Sequence, residues 1–239
     1  MLLVQDLPWS QHLYPMFKLR SHTKELLDGK VADKDLILNL KELHSINTLL
    51  GGYTISINAI KKINLQNQNI VDIGSGGGDM LHEIYKYTQK KNVSCNLYGV
   101  DLKEVCTAYA SARLPKQLSF ITDDYRNVNN HINHIDILHA CLFTHHLSDD
   151  EIIQLVRFAI ENKSILVIND LERSALAYYL IKGLTQVFSK SHLVKNDAPL
   201  SVLRGFKKKE WITLLNKAGA RDYSVKWKWA FRHQIIVHG

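Results

Sequence analysis

The chain has 239 residues, of which 46% are hydrophobic and 22% charged, enough for one domain with an elaborated edge or a small lid. No apolar run reaches the roughly 18 residues of a membrane span. A net charge of +7 and a pI near 9.2 suit nucleic acid, but the basic residues are scattered. Their densest run, Lys207-Lys208-Lys209, reads as a solvated face, which argues against a nucleic-acid track.

The start, MLLVQDLPWSQHLYPMF, has no basic n-region and reaches Asp6 early, so no signal peptide is expected. Residues 1–65 read as helical. Leu36, Leu40, Leu43, Asn47 and Leu50 fall on one stripe, with Asp33 as a cap and Gly51-Gly52 as a stop. A short helix is expected over Ser56–Ile63. From residue 69 short apolar runs alternate with amphipathic segments. Strands are predicted at Ile70–Ile73, Asn96–Val100, Leu118–Thr122, Ile135–Ala140 and Ser164–Asn169. Helices are predicted between most of them, over Gly78–Gln89, Lys103–Arg113 and Asp149–Glu161. This alternation is that of an α/β fold with a parallel sheet covered on both faces. A helix near Ser174–Ser189 follows, then a loop with Pro199 and Gly205, then a helix over Lys207–Ala218. Tyr223–Trp229 and His233–His238 read as a terminal antiparallel hairpin. Cys95, Cys106 and Cys141 form neither a zinc nor a disulfide pattern, so a reducing cytoplasm is the expectation.

The segment VDIGSGGGDM, residues 71–80, places four glycines in five positions after an apolar run. A dinucleotide turn, G-x-G-x-x-G, would need its third glycine at residue 79, where Asp79 stands instead. No Gly-Lys-Ser/Thr follows, which excludes a P-loop. The pattern present is D-x-G-x-G-x-G: Asp72, Gly74, Gly76 and Gly78, with Ser75 inside the turn. A carboxylate at Asp72 disfavours phosphate and accepts hydrogen bonds from an ammonium group. The glycines allow close backbone approach, and the next helix N-terminus suits a carboxylate. A nucleoside carrying an amino acid, S-adenosylmethionine, meets all three requirements. Asp101, at the end of the second strand, is placed for the ribose hydroxyls. Asp124, after the third strand, is placed for the adenine amino group, and the Tyr125 amide for a ring nitrogen. After the fourth strand, Cys141-Leu142-Phe143 forms an apolar patch to pack under the ligand.

With these motifs in order, the chain resembles the class I S-adenosylmethionine-dependent methyltransferases. DIGSGGGD is similar to the family's first motif, VDL to its ribose acid and following residue (Leu102 here), TDDY to its adenine motif and LFTHHLSDDE to its post-fourth-strand motif. The resemblance implies a Rossmann-like seven-stranded sheet of order 3-2-1-4-5-7-6 with strand 7 antiparallel. It also implies a helical cap over residues 1–65, a methyltransferase domain over 66–239, and a substrate-cover insertion over 170–206. INTLLGG, INDLERSALAYYL, DAPLSVLRGF and KWAFR are similar to a bacterial subgroup that methylates small molecules, some in polyketide or aromatic pigment pathways.

For catalysis the candidates are His145 and His146, since a neutral histidine can take a proton from the acceptor. His146 matches the family's frequent histidine and is also placed against the cofactor. His44 and His139 are expected to be structural. Tyr14, Tyr178 and Tyr179 are candidate acceptor contacts within an aromatic cover, and Arg204 either binds an acceptor carboxylate or phenolate or caps a helix. No metal site is expected. The function implied is methyl transfer to a small organic acceptor, on oxygen of an aromatic or polyketide-like compound, by a monomer or homodimer. The alternatives are an RNA methyltransferase, against which ACLFTHHL lacks the proline-containing loop of base-nitrogen enzymes, or a non-catalytic protein that retains the cofactor fold.

Overall fold

The computed structural model describes residues 16–239. Its centre is a seven-stranded sheet: β1 (Asn69–Ile73), β2 (Asn96–Asp101), β3 (Leu118–Thr122), β4 (Ile137–Cys141), β5 (Ile165–Leu171), β6 (Asp222–Lys228) and β7 (Arg232–His238). The order is β3-β2-β1-β4-β5-β7-β6, as the resemblance implies. β1 to β5 are parallel, whereas β7 runs antiparallel to both β5 and β6. The order reverses between β1 and β4, and a crevice opens there beyond the strand ends.

Helices cover both faces. On one lie α5 (Asp149–Glu161) and α8 (Lys208–Ala218). Ile152, Leu155, Val156 and Ala159 recur at helical spacing along α5 and pack into one core with Trp211, Leu214 and Leu215 of α8. Burial of each large apolar side chain among them is worth roughly 1.5–3 kcal/mol. The start of α5 is fixed by a capping box. The Glu151 amide donates to Ser148 Oγ, and the Ser148 amide donates to the Glu151 carboxylate at 2.8 Å.

On the other face lie α1 (Asp33–Leu49), α2 (Gly52–Ile60), α3 (Asp79–Lys91) and α4 (Glu104–Arg113). A buried polar seam fastens α2 to the sheet. His139 Nε2 lies 2.9 Å from Ser56 Oγ, Asn169 Nδ2 donates to the Gly52 carbonyl at 2.9 Å, and Gln234 Nε2 donates to the Ile55 carbonyl at 2.6 Å. After β5 come α6 (Ala175–Phe188) and α7 (His192–Arg204).

Two elements depart from expectation. Gly51 adopts a left-handed conformation (φ 68°) that turns the chain sharply, so α2 starts at Gly52 instead of Ser56. The expected loop around Pro199 is α7, with the proline inside the helix. Ser191 caps α7 by accepting from the Val194 amide, and Leu193, Val194 and Val202 are buried. That burial outweighs the hydrogen bond lost at Pro199.

Candidate active site

The glycine turn leaves β1 with Gly74 at φ 62°, a region that favours glycine. A Cβ there would fall 2.2 Å from the Phe143 ring, so the turn and the segment after β4 meet in direct contact. Gly78 (φ 74°) caps α3 in the same conformation. The Gly76 amide donates to Asp101 Oδ2 at 2.8 Å, and the Lys103 amide to Asp101 Oδ1 at 2.9 Å. The turn and the end of β2 thereby hold each other. Burial pushes the Asp101 carboxyl up, while the Lys103 and Gly76 amides oppose the rise.

These groups line a cavity of about 390 Å³ at the switch point of the sheet. Its wall includes Asp72, Gly74, Ser75, Gly76, Asp101 and Leu102, together with Asp124, Tyr125, Leu142 and His146. Gly78 is outside this lining, at the start of α3. Asp72 is 2% exposed, and its Oδ1 lies 2.6 Å from His139 Nδ1. Asp124 pairs with Arg126 through its Nε at 2.9 Å and caps the short 3₁₀ helix 125–130. The Arg126 hydrogen bond holds the Asp124 carboxyl low. Asp123 lines the same wall but is engaged by Asn127 and His131.

A second, more apolar cavity of about 360 Å³ adjoins the first. Leu27, Leu43, Asn47, Leu142 and His146 line both. Leu142 is at φ 52°, unusual for leucine, and its amide donates to the Asn169 carbonyl at 3.0 Å. That turn sets Leu142 on the boundary between the cavities. The second cavity is walled by α1, by Ala177, Leu180, Ile181 and Leu184 of α6, by Val194 and Val202 of α7, and by Trp229 and Phe231. The expected aromatic cover is therefore mainly aliphatic.

His145 lines the second cavity and His146 borders both, each with its Nδ1 on a carboxylate: His145 on Asp170 at 2.7 Å, His146 on Asp28 at 2.8 Å. Burial alone would push Asp170 up. His145, the Thr144 hydroxyl and the Leu171 amide outweigh it and hold the carboxyl below its ordinary range. An ionised Asp170 accepts, so His145 Nδ1 carries a proton and Nε2 is the ring nitrogen left toward Glu25. That Nε2 lies 3.6 Å from Glu25 Oε1. Burial pushes the Glu25 carboxyl up to about 7, opposed by His146, Ser201 and Arg204. Among the described residues, Glu25, His145 and His146 are the group whose ligand atoms lie within 4.8 Å of one another, as a cation would require. Glu25, however, already accepts from Ser201 Oγ at 2.8 Å and faces Arg204 Nε at 3.9 Å.

Several predicted residues stand elsewhere. Arg204 lines neither cavity. It donates to the carbonyls of His145, His146 and Thr23 and pairs with Asp28 at 2.6 Å, clamping the histidine segment from behind. Tyr178 and Tyr179 pack on Phe17 and on each other, because the helical spacing of α6 gives its cavity face to Ala177, Leu180, Ile181 and Leu184. Tyr14 lies outside the described residues. His44 reaches the first cavity, with Nδ1 3.0 Å from Tyr53 Oη and 3.4 Å from Asp79, whereas His139 is buried in the seam. Burial pushes the Cys141 thiol up to about 12, which keeps it protonated and unsuited to nucleophilic attack near neutrality.

Sequence reading missed Glu25, Asp28, Asn47 as a cavity residue, Tyr53 and Asp170. Of these, Asp170 had a local signal, as a carboxylate at the end of the fifth strand. Among the described residues no helix is long and apolar enough to cross a membrane.

Residues 70–161 match the family model of a methyltransferase domain. No curated protein matches the chain. Among solved structures, the fold is similar to that of the plantazolicin methyltransferase BpumL in complex with a monoazolic desmethylPZN analogue and SAH. The TM-score is 0.63 at 18% identity, over 86% of this chain and 90% of that one. It is also similar to human N-acetylserotonin methyltransferase in complex with SAM, at TM-score 0.61 and 16% identity, over 87% of this chain and 56% of that one. A putative O-methyltransferase from Nostoc punctiforme PCC 73102 has TM-score 0.55 at 12% identity, over 84% of this chain and 60% of that one.

Proposed function

We propose that this chain, whose sheet has the order of the class I methyltransferase fold and whose residues 70–161 match a methyltransferase domain model, transfers a methyl group from S-adenosylmethionine to a small organic acceptor. The observation that carries the proposal is the pair of adjoining cavities. One is lined by the glycine turn and strand-end carboxylates. The other is mainly apolar, and the two share Leu27, Leu43, Asn47, Leu142 and His146 at their boundary.

In this reading Asp72 and the glycine turn hold the methionine end of the donor, Asp101 the ribose, and Asp124, Tyr125 and Leu102 the adenine. The sulfonium methyl then faces the boundary. Methyl transfer is an in-line displacement with an activated leaving group, so alignment and exclusion of water carry much of the rate. α1, α6 and α7 supply that enclosure, which supports the described part of the expected cap, residues 16–65, and 170–206 as an acceptor cover. His145 Nε2, backed by Asp170, takes the acceptor proton. An oxygen acceptor on an aromatic or polyketide-like skeleton suits the apolar wall and a single base.

The test is incubation of the purified chain with S-adenosylmethionine and a panel of phenols, enols and amines, read by mass spectrometry. A methylated phenol or enol together with S-adenosylhomocysteine is expected. Turnover confined to amines would reject the oxygen assignment, and methylation of RNA in place of every small molecule would reject the acceptor class.

A further inference from the structure

The acceptor cavity is lined by a cation without a counter-ion among the described residues. Three arginines are buried among the described residues: Arg173, Arg204 and Arg232. Arg173 pairs with Glu210, and Arg204 with Asp28. Arg232, 3% exposed at the start of β7, has no ion-pair partner among the described residues. Its Nη2 donates to Asn47 Oδ1 at 2.6 Å, and its Nη1 has no partner. Removing a guanidinium from water without a paired anion is costly, so such a group implies a partner yet to arrive.

Its position is built. Gly52 lies close against the guanidinium, and a Cβ there would sit 2.9 Å from both Nη atoms. Asn47, which holds Arg232, borders both cavities, whereas Arg232 lines the acceptor cavity alone. A second buried donor on the same wall also lacks a partner: Asn39 Nδ2, on a residue 2% exposed. Asn39 and Asn47 are eight residues apart on α1, roughly 12 Å along its axis. Among the described residues, both unpaired buried polar groups of this cavity are thus N–H donors, and one is charged. A ligand that satisfies them presents acceptor oxygens, one of them anionic.

We propose that the methyl acceptor is an organic anion, and that Arg232 is the specificity residue that binds its carboxylate or equally acidic oxygen. This rests on the second cavity being the acceptor site. It gives to Arg232 the role that sequence reading offered to Arg204.

The test compares matched probes that differ in charge: benzoate, 2-naphthoate and 9-anthroate, each against its neutral carboxamide. Titration calorimetry uses the full chain, first with S-adenosylhomocysteine alone and then with each probe on the loaded protein. At least one acid is expected to bind about tenfold or more tightly than its amide, the scale of one charged hydrogen bond. R232Q should abolish that preference and R232K should retain part of it. Equal binding of every acid and its amide, or no binding of any acid, overturns the proposal. So does a folded R232Q that keeps the preference, and the wild-type comparison decides the matter if R232Q does not fold. Failure of S-adenosylhomocysteine to bind in the first titration counts instead against the donor assignment.

Discussion

His145 donates its Nδ1 proton to Asp170 across 2.7 Å, with both side chains buried and the His145 backbone amide donating to the same carboxylate at 3.0 Å. The pair fixes the ring orientation and leaves Nε2 as the nitrogen to which the proposed function assigns the base. General-base catalysis of this type contributes about 10²–10⁴-fold. H145Q is therefore expected to lower kcat by roughly 100-fold or more with little change in S-adenosylhomocysteine affinity. Steady-state kinetics and calorimetry on the same variant check both. Unchanged kcat would remove His145 from the mechanism.

Glu25 is expected to make turnover pH-dependent. Its carboxyl is pushed up to about 7 from an ordinary 4.5. Between those values the folded chain binds a proton that the unfolded chain does not. Its contribution to stability is complete below about 4.5 and is lost as pH rises through about 7. Asp28 and Asp170, held low, act in the opposite sense, and their contribution is lost as pH falls below the ordinary carboxylate range. Above about 7 the Glu25 carboxylate faces His145 Nε2 and favours the charge that the ring acquires. kcat should rise with pH through that region, and E25Q should flatten the rise. An identical pH profile in E25Q would contradict this role.

Asp101, to which the proposed function assigns the ribose, holds the Gly76 and Lys103 amides. D101A should weaken S-adenosylhomocysteine binding about 10- to 100-fold, the loss expected for charged hydrogen bonds. It should also lower Tm, because two backbone donors lose their acceptor. Binding at wild-type affinity would reject the ribose assignment.

Gly74 is constrained twice, by φ 62° and by the Phe143 ring. The left-handed backbone alone costs an alanine roughly 1–2 kcal/mol. The overlap with Phe143 adds to that and displaces the wall of the donor cavity. G74A should both lower Tm and lose donor binding, measured by thermal melts with and without S-adenosylhomocysteine. A stable variant with full affinity would contradict the packing described.

The cluster of Glu25, His145 and His146 has the spacing of a cation site, but Ser201 and Arg204 already face Glu25. Turnover is therefore expected to be unaffected by a chelator. Loss of activity with EDTA and its return with a divalent metal would show that the histidines serve as ligands.

The cavity at the strand ends was legible because its signals are local. A glycine turn and a carboxylate at each of several strand ends need no knowledge of tertiary packing, and Ser148 with Glu151 marks the start of α5 at the predicted Asp149. The second cavity was not legible. Glu25, Asn39 and Arg232 come from three distant segments that only the folded chain brings to one cavity, with Asp170 buried behind His145. Arg204 was left between an acceptor contact and a helix cap because sequence does not reveal Asp28 beside it. Tyr178 and Tyr179 were one or two positions out of phase with the cavity face of α6. Pro199 signalled a loop, but burial of α7 prevailed.

The most direct measurement is a crystal structure with S-adenosylhomocysteine bound. Its ribose is expected on Asp101, its adenine beside Asp124 and Leu102, and its sulfur at the boundary formed by Asn47, Leu142 and His146, open toward the apolar cavity. A ligand seated elsewhere, or a sulfur walled off from that cavity, would contradict the assignment of donor and acceptor sites.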